Sequence, residues 1–354
     1  MTGEQPAPTA PDPTPEPPPH PTATGPTATG PTAPHPAAPG PTAGGPRAAD
    51  PTAPGPTASE PPPNPFAVPQ LFDATDPLNP LWHEEHLDFY VPVDNTEESF
   101  TTCQKRFEDL ADLHRQGRLV LVSGERGCGK TALINRCAYW LHGRLRADGL
   151  GVEVVDLTQE ASDSATVRER LSKVSEALVD KLDLLALLRG DRLYEKRTDP
   201  DGTYRNLPGY LAPDQWLIVL LPTVELVEEL RYYDARAPQR TVFFAEAPSA
   251  VGVQHVSGRT LHLRVDAFEH EHASLFAADR LGRMPAGAVP PLAPEALDEF
   301  IQGDRKTTIR EMQWLLFGVY ETLRVQNSRP DEVTWEHLGR HFVREARRLR
   351  GERP

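Results

Sequence analysis

The chain has 354 residues and a formal net charge of −14. An acidic balance of that size speaks against tight, non-specific binding to duplex nucleic acid, which needs a basic face, so nucleic acid is not a favoured partner. Cys103, Cys128 and Cys137 make neither a zinc-type spacing nor an even disulfide set, and no apolar run approaches the roughly 20 residues that span a bilayer, so the expectation is a reduced, soluble, cytoplasmic protein without membrane contact.

Of the 39 prolines, 23 fall in the first 65 residues, where Gly-Pro-Thr-Ala recurs at 25–28, 30–33, 40–43 and 55–58. Large apolar residues are nearly absent there, so burial cannot offset the entropy of ordering the backbone. Residues 1–63 are expected to form a disordered Pro/Thr/Ala-rich tail, read either as a spacer or docking segment or as a plain linker. The rest divides by pattern into an α/β core over 64–265 and a helical subdomain over 266–354.

In the core, apolar runs that read as buried strands alternate with helical periodicity. Leu119-Val120-Leu121-Val122 is the first strand. Gly-Glu-Arg-Gly-Cys-Gly-Lys-Thr follows at 124–131 and then a helical run from Ala132 to Leu141. Val152–Leu157 is the second strand, a helix spans about 164–188, and 189–213 reads as a polar loop with turn signals at Asp199-Pro200-Asp201-Gly202. Trp216–Leu221 is the third strand, 223–233 a helix, Thr241–Ala245 the fourth strand and Leu261–Val265 the fifth. This alternation implies a three-layer fold around a mainly parallel sheet. Beyond Asp266 only helices are expected, near 269–281, 294–301, 307–325 and 334–349, parted by prolines.

The stretch 124–131 fits the phosphate-binding pattern GxxxxGK[ST] at every required position, between a strand and a helix, which is the context that gives the pattern structural meaning. Gly124, Gly127 and Gly129 let the backbone curl so that its N–H groups, with those of Glu125, Arg126 and Cys128, point at phosphate oxygens. The helix beginning near Lys130 adds its positive dipole end. Lys130 reaches the β- and γ-phosphates, and the Thr131 hydroxyl is the expected Mg²⁺ ligand. Cys128 is read as the variable position of the motif, with gating by oxidation as the alternative.

With these motifs in place the chain resembles the AAA+ superfamily over about residues 64–350, nearest to its bacterial secretion, transposition and origin-recognition-like branch. The likeness runs from Asn64-Pro65-Phe66 and Tyr90-Val91-Pro92, through the phosphate loop, to Thr308-Ile309-Arg310-Glu311-Met312-Gln313-Trp314-Leu315-Leu316. It implies a P-loop NTPase core under a helical lid, ATP with Mg²⁺ as cofactors, and Arg310 as a sensor of the γ-phosphate. Arg305 and Lys306 are rivals for that role, and a solvated Arg is the plain alternative. Such ATPases place two acids at the end of the third core strand, one to orient the metal and one to prepare water. Here those positions hold Pro222 and Thr223, a degenerate Walker B strand.

Three acids at carboxyl ends of strands could substitute: Glu225, Glu246 and Asp156. Glu225 can also be read as a first-turn acid of a helix with Thr223 as its N-cap, and Glu246 and Asp156 as loop acids that cap the next element. Ser249 lies near the place of a first-sensor polar residue. His255, His262, His270 and His272 have no zinc-like spacing. Arg340, Arg344, Arg347, Arg348 and Arg350 form a basic run that reads as helix-end charge, with contact to nucleic acid as the alternative. The expectation is an ATP-binding, AAA+-like switch with slow or uncertain turnover, working with a protein partner or by self-association. The alternative is an active Mg²⁺-dependent ATPase, such as a DNA-associated helper of transposition or replication.

Overall fold

Apolar runs without alternation, such as 119–122 and 216–221, are buried only in a sheet covered on both faces, and the fold uses them so. The computed structural model describes residues 62–160, 164, 166–249, 257–301 and 307–351. The tail expectation for 1–61 and those for His255, Arg305 and Lys306 lie outside these residues. Among the described residues, strands β1 (Arg118–Ser123), β2 (Gly151–Asp156), β3 (Gln215–Leu220), β4 (Thr241–Ala247) and β5 (Leu261–Arg264) form one sheet. Its order is β2-β3-β4-β1-β5 and every pairing is parallel.

The helices are α1 (Thr96–Arg106), α2 (Ala111–Arg115), α3 (Lys130–Ala147), α4 (Val167–Leu184), α5 (Pro200–Tyr210) and α6 (Val227–Arg236). They are followed by α7 (His270–Gly282), α8 (Ala296–Ile301), α9 (Ile309–Val325) and α10 (Trp335–Leu349). Alternate strand residues divide between the two faces of the sheet. Leu119, Leu121, Leu217, Val219 and Phe243 pack with Leu178 of α4, Leu207 of α5 and Tyr233 of α6. Val120, Val122, Ile218, Val242 and Phe244 pack with Phe100 of α1 and with Leu133, Cys137 and Leu141 of α3. Side chains of this kind contribute roughly 1.5–3 kcal/mol each when fully buried. A third cluster joins Phe276, Met312, Leu316 and Leu338 of the C-terminal helices to Phe66 and Val93.

Two expectations are corrected by the backbone. The stretch 189–213 is not a loop: it holds a short 3₁₀ helix, Asp191–Lys196, and then α5. Asp199-Pro200 reads as a turn, yet proline at the first helical turn lacks only an N–H that would be unpaired anyway. Tyr204, Leu207 and Leu211, three and four apart, are buried, and the Tyr204 ring meets Phe243 edge-on at 5.6 Å. The helix expected at 223–233 begins only at Val227. The Val224 N–H donates to the Glu246 carbonyl at 2.8 Å, which ties the segment before the helix to β4. Thr223 is therefore not a helix cap.

At the C-terminal end of the sheet, Ser123 of β1 pairs with Ala247 of β4 and with Arg264 of β5. The chain leaves β1 for the far edge strand β2 and leaves β4 for the opposite edge strand β5. Connections that part in this way open a crevice at the carboxyl ends of the strands, the usual ligand position in such sheets.

Candidate functional site

The loop 124–131 fills that crevice. Gly127 and Gly129 have φ of 82° and 100°, in the left-handed region that other residues avoid. Gly124 is needed for space instead: a Cβ there would lie 2.7 Å from the Val265 carbonyl oxygen and 2.8 Å from the Cys128 sulfur. Gly129 is the N-cap of α3, so the first turn of an 18-residue helix points its N–H groups at the loop. Lys130 folds over the loop, its Nζ donating to the carbonyls of Gly124 at 3.1 Å and Glu125 at 2.8 Å. Glu125 and Arg126 are exposed, and Arg126 faces the adjoining cavity. Cys128 is buried in the core beneath α3, and burial pushes its thiol up in spite of the Lys130 charge beside it, which disfavours a reactive thiolate.

Of the three strand-end acids, the register brings one to the loop. Val122 of β1 pairs with Glu246 of β4, which sets Glu246 beside the loop. Its Oε2 accepts from the Thr131 hydroxyl at 2.9 Å and its Oε1 from the Thr223 hydroxyl at 2.8 Å. Thr223, standing where an acid was expected, thus holds an acid supplied by the neighbouring strand. The Thr223 carbonyl in turn accepts from Arg170 of α4, whose Nε donates to buried Glu229 at 2.9 Å. Burial raises the Glu229 carboxyl although Arg170 opposes the shift.

The other two acids lie elsewhere. Glu225 is exposed and outside the cavity wall. Asp156 closes a turn of its own, accepting from the Thr158 N–H at 2.9 Å and hydroxyl at 2.7 Å. Ser249 is exposed beyond β4. His262 meets the Ser123 hydroxyl at 2.7 Å, and the His272 ring accepts from the Glu269 N–H at 3.0 Å. Among the described residues no three His, Cys, Asp or Glu side chains gather as a metal-binding set.

From the other side, the start of α9 closes on the loop. The Arg310 N–H donates to the Gly127 carbonyl at 3.2 Å, and a Cβ on Gly127 would stand 2.9 Å from the Thr308 hydroxyl. Thr308 and Glu311 cap this end reciprocally, at 3.2 and 3.1 Å. The Arg310 side chain is exposed and borders a cavity of about 250 Å³ that runs from the loop to an apolar wall of Val68, Leu71, Phe89, Val91, Phe276 and Ile309.

Pattern reading missed several residues of that cavity. The Tyr90 hydroxyl donates to the Ala132 carbonyl at 2.8 Å, which ties the N-terminal segment to the first turn of α3. Asp94 borders the cavity at φ 55°, with its carboxyl raised by burial. Arg280 is buried on α7 and also borders the cavity. One signal pointed to it: Ala273, Phe276, Ala277 and Arg280 follow the spacing of one helical face, so an arginine stands on an apolar stripe.

A triphosphate ester suits this arrangement, with anion-binding backbone at one end and apolar surface at the other. The Thr131 hydroxyl and the Glu246 carboxylate are hard oxygen donors of the kind Mg²⁺ takes alongside phosphate oxygens and water.

No protein-family profile matches the chain, and no curated protein matches it. Among solved structures it is similar to Drosophila ORC bound to DNA, at 15 % identity and TM-score 0.47, over 71 % of this chain and 62 % of that one. The chain thus spans less than two thirds of the fly protein's length. It is similar to the Aeropyrum pernix ORC1 protein in complex with DNA, at 15 % identity and TM-score 0.49, over 73 % of this chain and 67 % of that one. Domain III of the Thermotoga maritima replication initiation protein DnaA is also similar, at 14 % identity and TM-score 0.41, over 74 % of this chain and 96 % of that one.

Proposed function

We propose that the chain binds ATP with Mg²⁺ and acts as an AAA+-like nucleotide-dependent switch, with 64–265 as the nucleotide core, 266–354 as the lid and hydrolysis slow. The observation that carries this reading is the shared cavity: one wall is the glycine loop from Arg126 to Thr131, another is the N-terminal turn of α9, and a backbone hydrogen bond from Arg310 to Gly127 joins them. A nucleotide lying there touches core and lid together, so its presence biases their relation.

In this reading the loop N–H groups and the α3 N-terminus hold the phosphates, and Lys130 exchanges its two carbonyl partners for phosphate oxygens. Thr131 and Glu246 are the residues that would hold Mg²⁺, which when bound neutralises charge on the terminal phosphates. The Thr131 proton already points to Glu246, which leaves the hydroxyl lone pairs available. Arg310 is the sensor at the lid. The base lies against the apolar wall, and adenine follows from the AAA+ resemblance and from the lack of a guanine-reading Asn-Lys-x-Asp run.

Slow turnover follows from the acids. Both Glu246 oxygens are engaged by hydroxyls, and Glu225 is exposed away from the cavity, so neither of these two acids is free beside the loop to orient water. A protein partner or a second copy of the chain would read the lid position.

Calorimetric titration with Mg²⁺-ATP, alongside phosphate release, tests the proposal. Lys130→Ala should weaken binding by about 2–5 kcal/mol, the usual result of truncating one side of a buried charged pair, with the melting temperature unchanged. Unaltered affinity in that variant would remove the site from 124–131, and rapid release by the wild type would end the slow-switch reading.

A further inference from the structure

Arg280 is a buried cation with no carboxylate in direct ion-pair contact among the described residues. It is 3 % exposed. One nitrogen, Nη2, donates to the Phe89 carbonyl at 2.9 Å, while Nε and Nη1 have no hydrogen-bond partner among the described residues. The nearby carboxylate, Asp279, is held by Arg283 at 2.7 Å. The guanidinium carbon stands 4.8 Å from the Phe89 ring centre and 5.3 Å from that of Phe276, so two aromatic faces compensate part of its lost hydration. Burial with Arg283 nearby pulls its pKa down to about 10, which still leaves it charged at neutral pH. A buried guanidinium with two unpaired donors is costly and calls for an acceptor. Arg280 borders the same cavity as the phosphate loop.

We propose that Arg280 is a ligand contact that recognises the purine base, its unpaired donors taking a ring-nitrogen acceptor of the base lodged against Phe89 and Phe276. The proposal rests on the nucleotide reading of the cavity. A base is favoured over a phosphate for two reasons. The phosphates have their own donors in the loop amides and Lys130. The surroundings of Arg280 are the two phenyl rings and the apolar wall, which fit a flat aromatic ring edged with acceptors. Arg280 lies on α7 and its bound carbonyl in the segment before β1, so a base held there is gripped by lid and N-terminal segment at once.

The test is calorimetric titration of the full chain, as wild type, Arg280→Met and Arg280→Lys, with ADP, ribose 5-diphosphate and tripolyphosphate. Arg280→Met should weaken ADP roughly ten- to hundredfold, as for loss of a hydrogen bond from a charged group, and leave the other two ligands unchanged. Arg280→Lys keeps the charge but not the planar fork and should weaken ADP alone by a smaller factor; it carries the test if the Met variant melts early without ligand. Equal loss for ADP and tripolyphosphate would make Arg280 a phosphate or structural residue and overturn the proposal. Loss shared with ribose 5-diphosphate would assign the sugar instead, and unchanged ADP affinity would remove the contact. A wild type that binds neither ADP nor tripolyphosphate refutes the nucleotide site itself, whereas one that binds both while Arg280→Met stays unaffected removes only the arginine contact.

Discussion

Replacing Glu246 by Gln changes one oxygen of a carboxylate into an amide nitrogen with little change of shape. The native carboxylate accepts from Thr131 at 2.9 Å and from Thr223 at 2.8 Å. Gln can still accept one of these bonds, but its NH₂ must face the other hydroxyl, which then has to turn and accept. Hydrogen bonds to charged groups are worth about 1.5–3 kcal/mol, and partial exposure reduces that, so a stability loss of about 1 kcal/mol is expected. The effect on binding is larger where Mg²⁺ is involved. A Thr131 hydroxyl that no longer donates to a carboxylate is misdirected, and loss of a group that orients a metal ligand commonly weakens metal affinity about 10- to 100-fold. Titration with Mg²⁺-ATP should therefore show about tenfold weaker binding, whereas ATP in excess chelator should bind as to the wild type. Glu225→Gln, at an exposed position, serves as the control and should change neither. Equal loss with and without Mg²⁺, or no loss in either, would refute the assignment of Glu246 to the Mg²⁺ site beside Thr131.

Gly127→Ala should lower both the melting temperature and the nucleotide affinity, because a side chain is strained at φ 82° and its Cβ would press within 2.9 Å of the Thr308 hydroxyl; a loss of about 1–3 kcal/mol is expected by chemical denaturation, and wild-type values in both measurements would show that α9 does not pack on the loop as described. Stability should also fall on mild acidification. Burial, then the nearby Arg344, hold the His341 pKa below its ordinary 6.5, so below that value the unfolded chain takes up a proton that the folded chain resists, and stability present above it is lost as pH falls. His262 and His142 share the sign, so His341→Gln should flatten the melting-temperature decline between about pH 7 and pH 5.5 only in part; an unchanged slope would count against the neutral buried His341.

The turn of the chain at 124–131 could be read from sequence because its requirements are local. Gly127 and Gly129 are fixed by backbone angles, Gly124 by the closeness of Val265 and Cys128, and all lie within a few residues of one another. The acid was harder. Strand-end position narrowed the choice to Asp156, Glu225 and Glu246, and only the register of β4 on β1 sets Glu246 against Thr131, 115 residues away in the chain. No periodicity within either segment contains that register. The α5 helix was hidden for a different reason: Asp199-Pro200 and Gly202 are turn residues locally, and it is burial of Tyr204 and Leu207 against α6 and β4 that makes them helical. Arg280 stood in plain view as a charge on an apolar stripe, but its lack of a carboxylate depends on Asp279 turning to Arg283.

The hydrogen bond between Arg310 and Gly127 has a mechanical meaning as well. It anchors one tip of α9, whose 17 residues make a rod about 25 Å long at the standard helical rise. A rod held at its tip acts as a pointer: a pivot of about 10° there would sweep the far end by roughly 4 Å. The far end at Val325, itself exposed, would move the most, so in the proposed switch a displacement of ångström scale at a phosphate would become a change of surface on the opposite end of the helix.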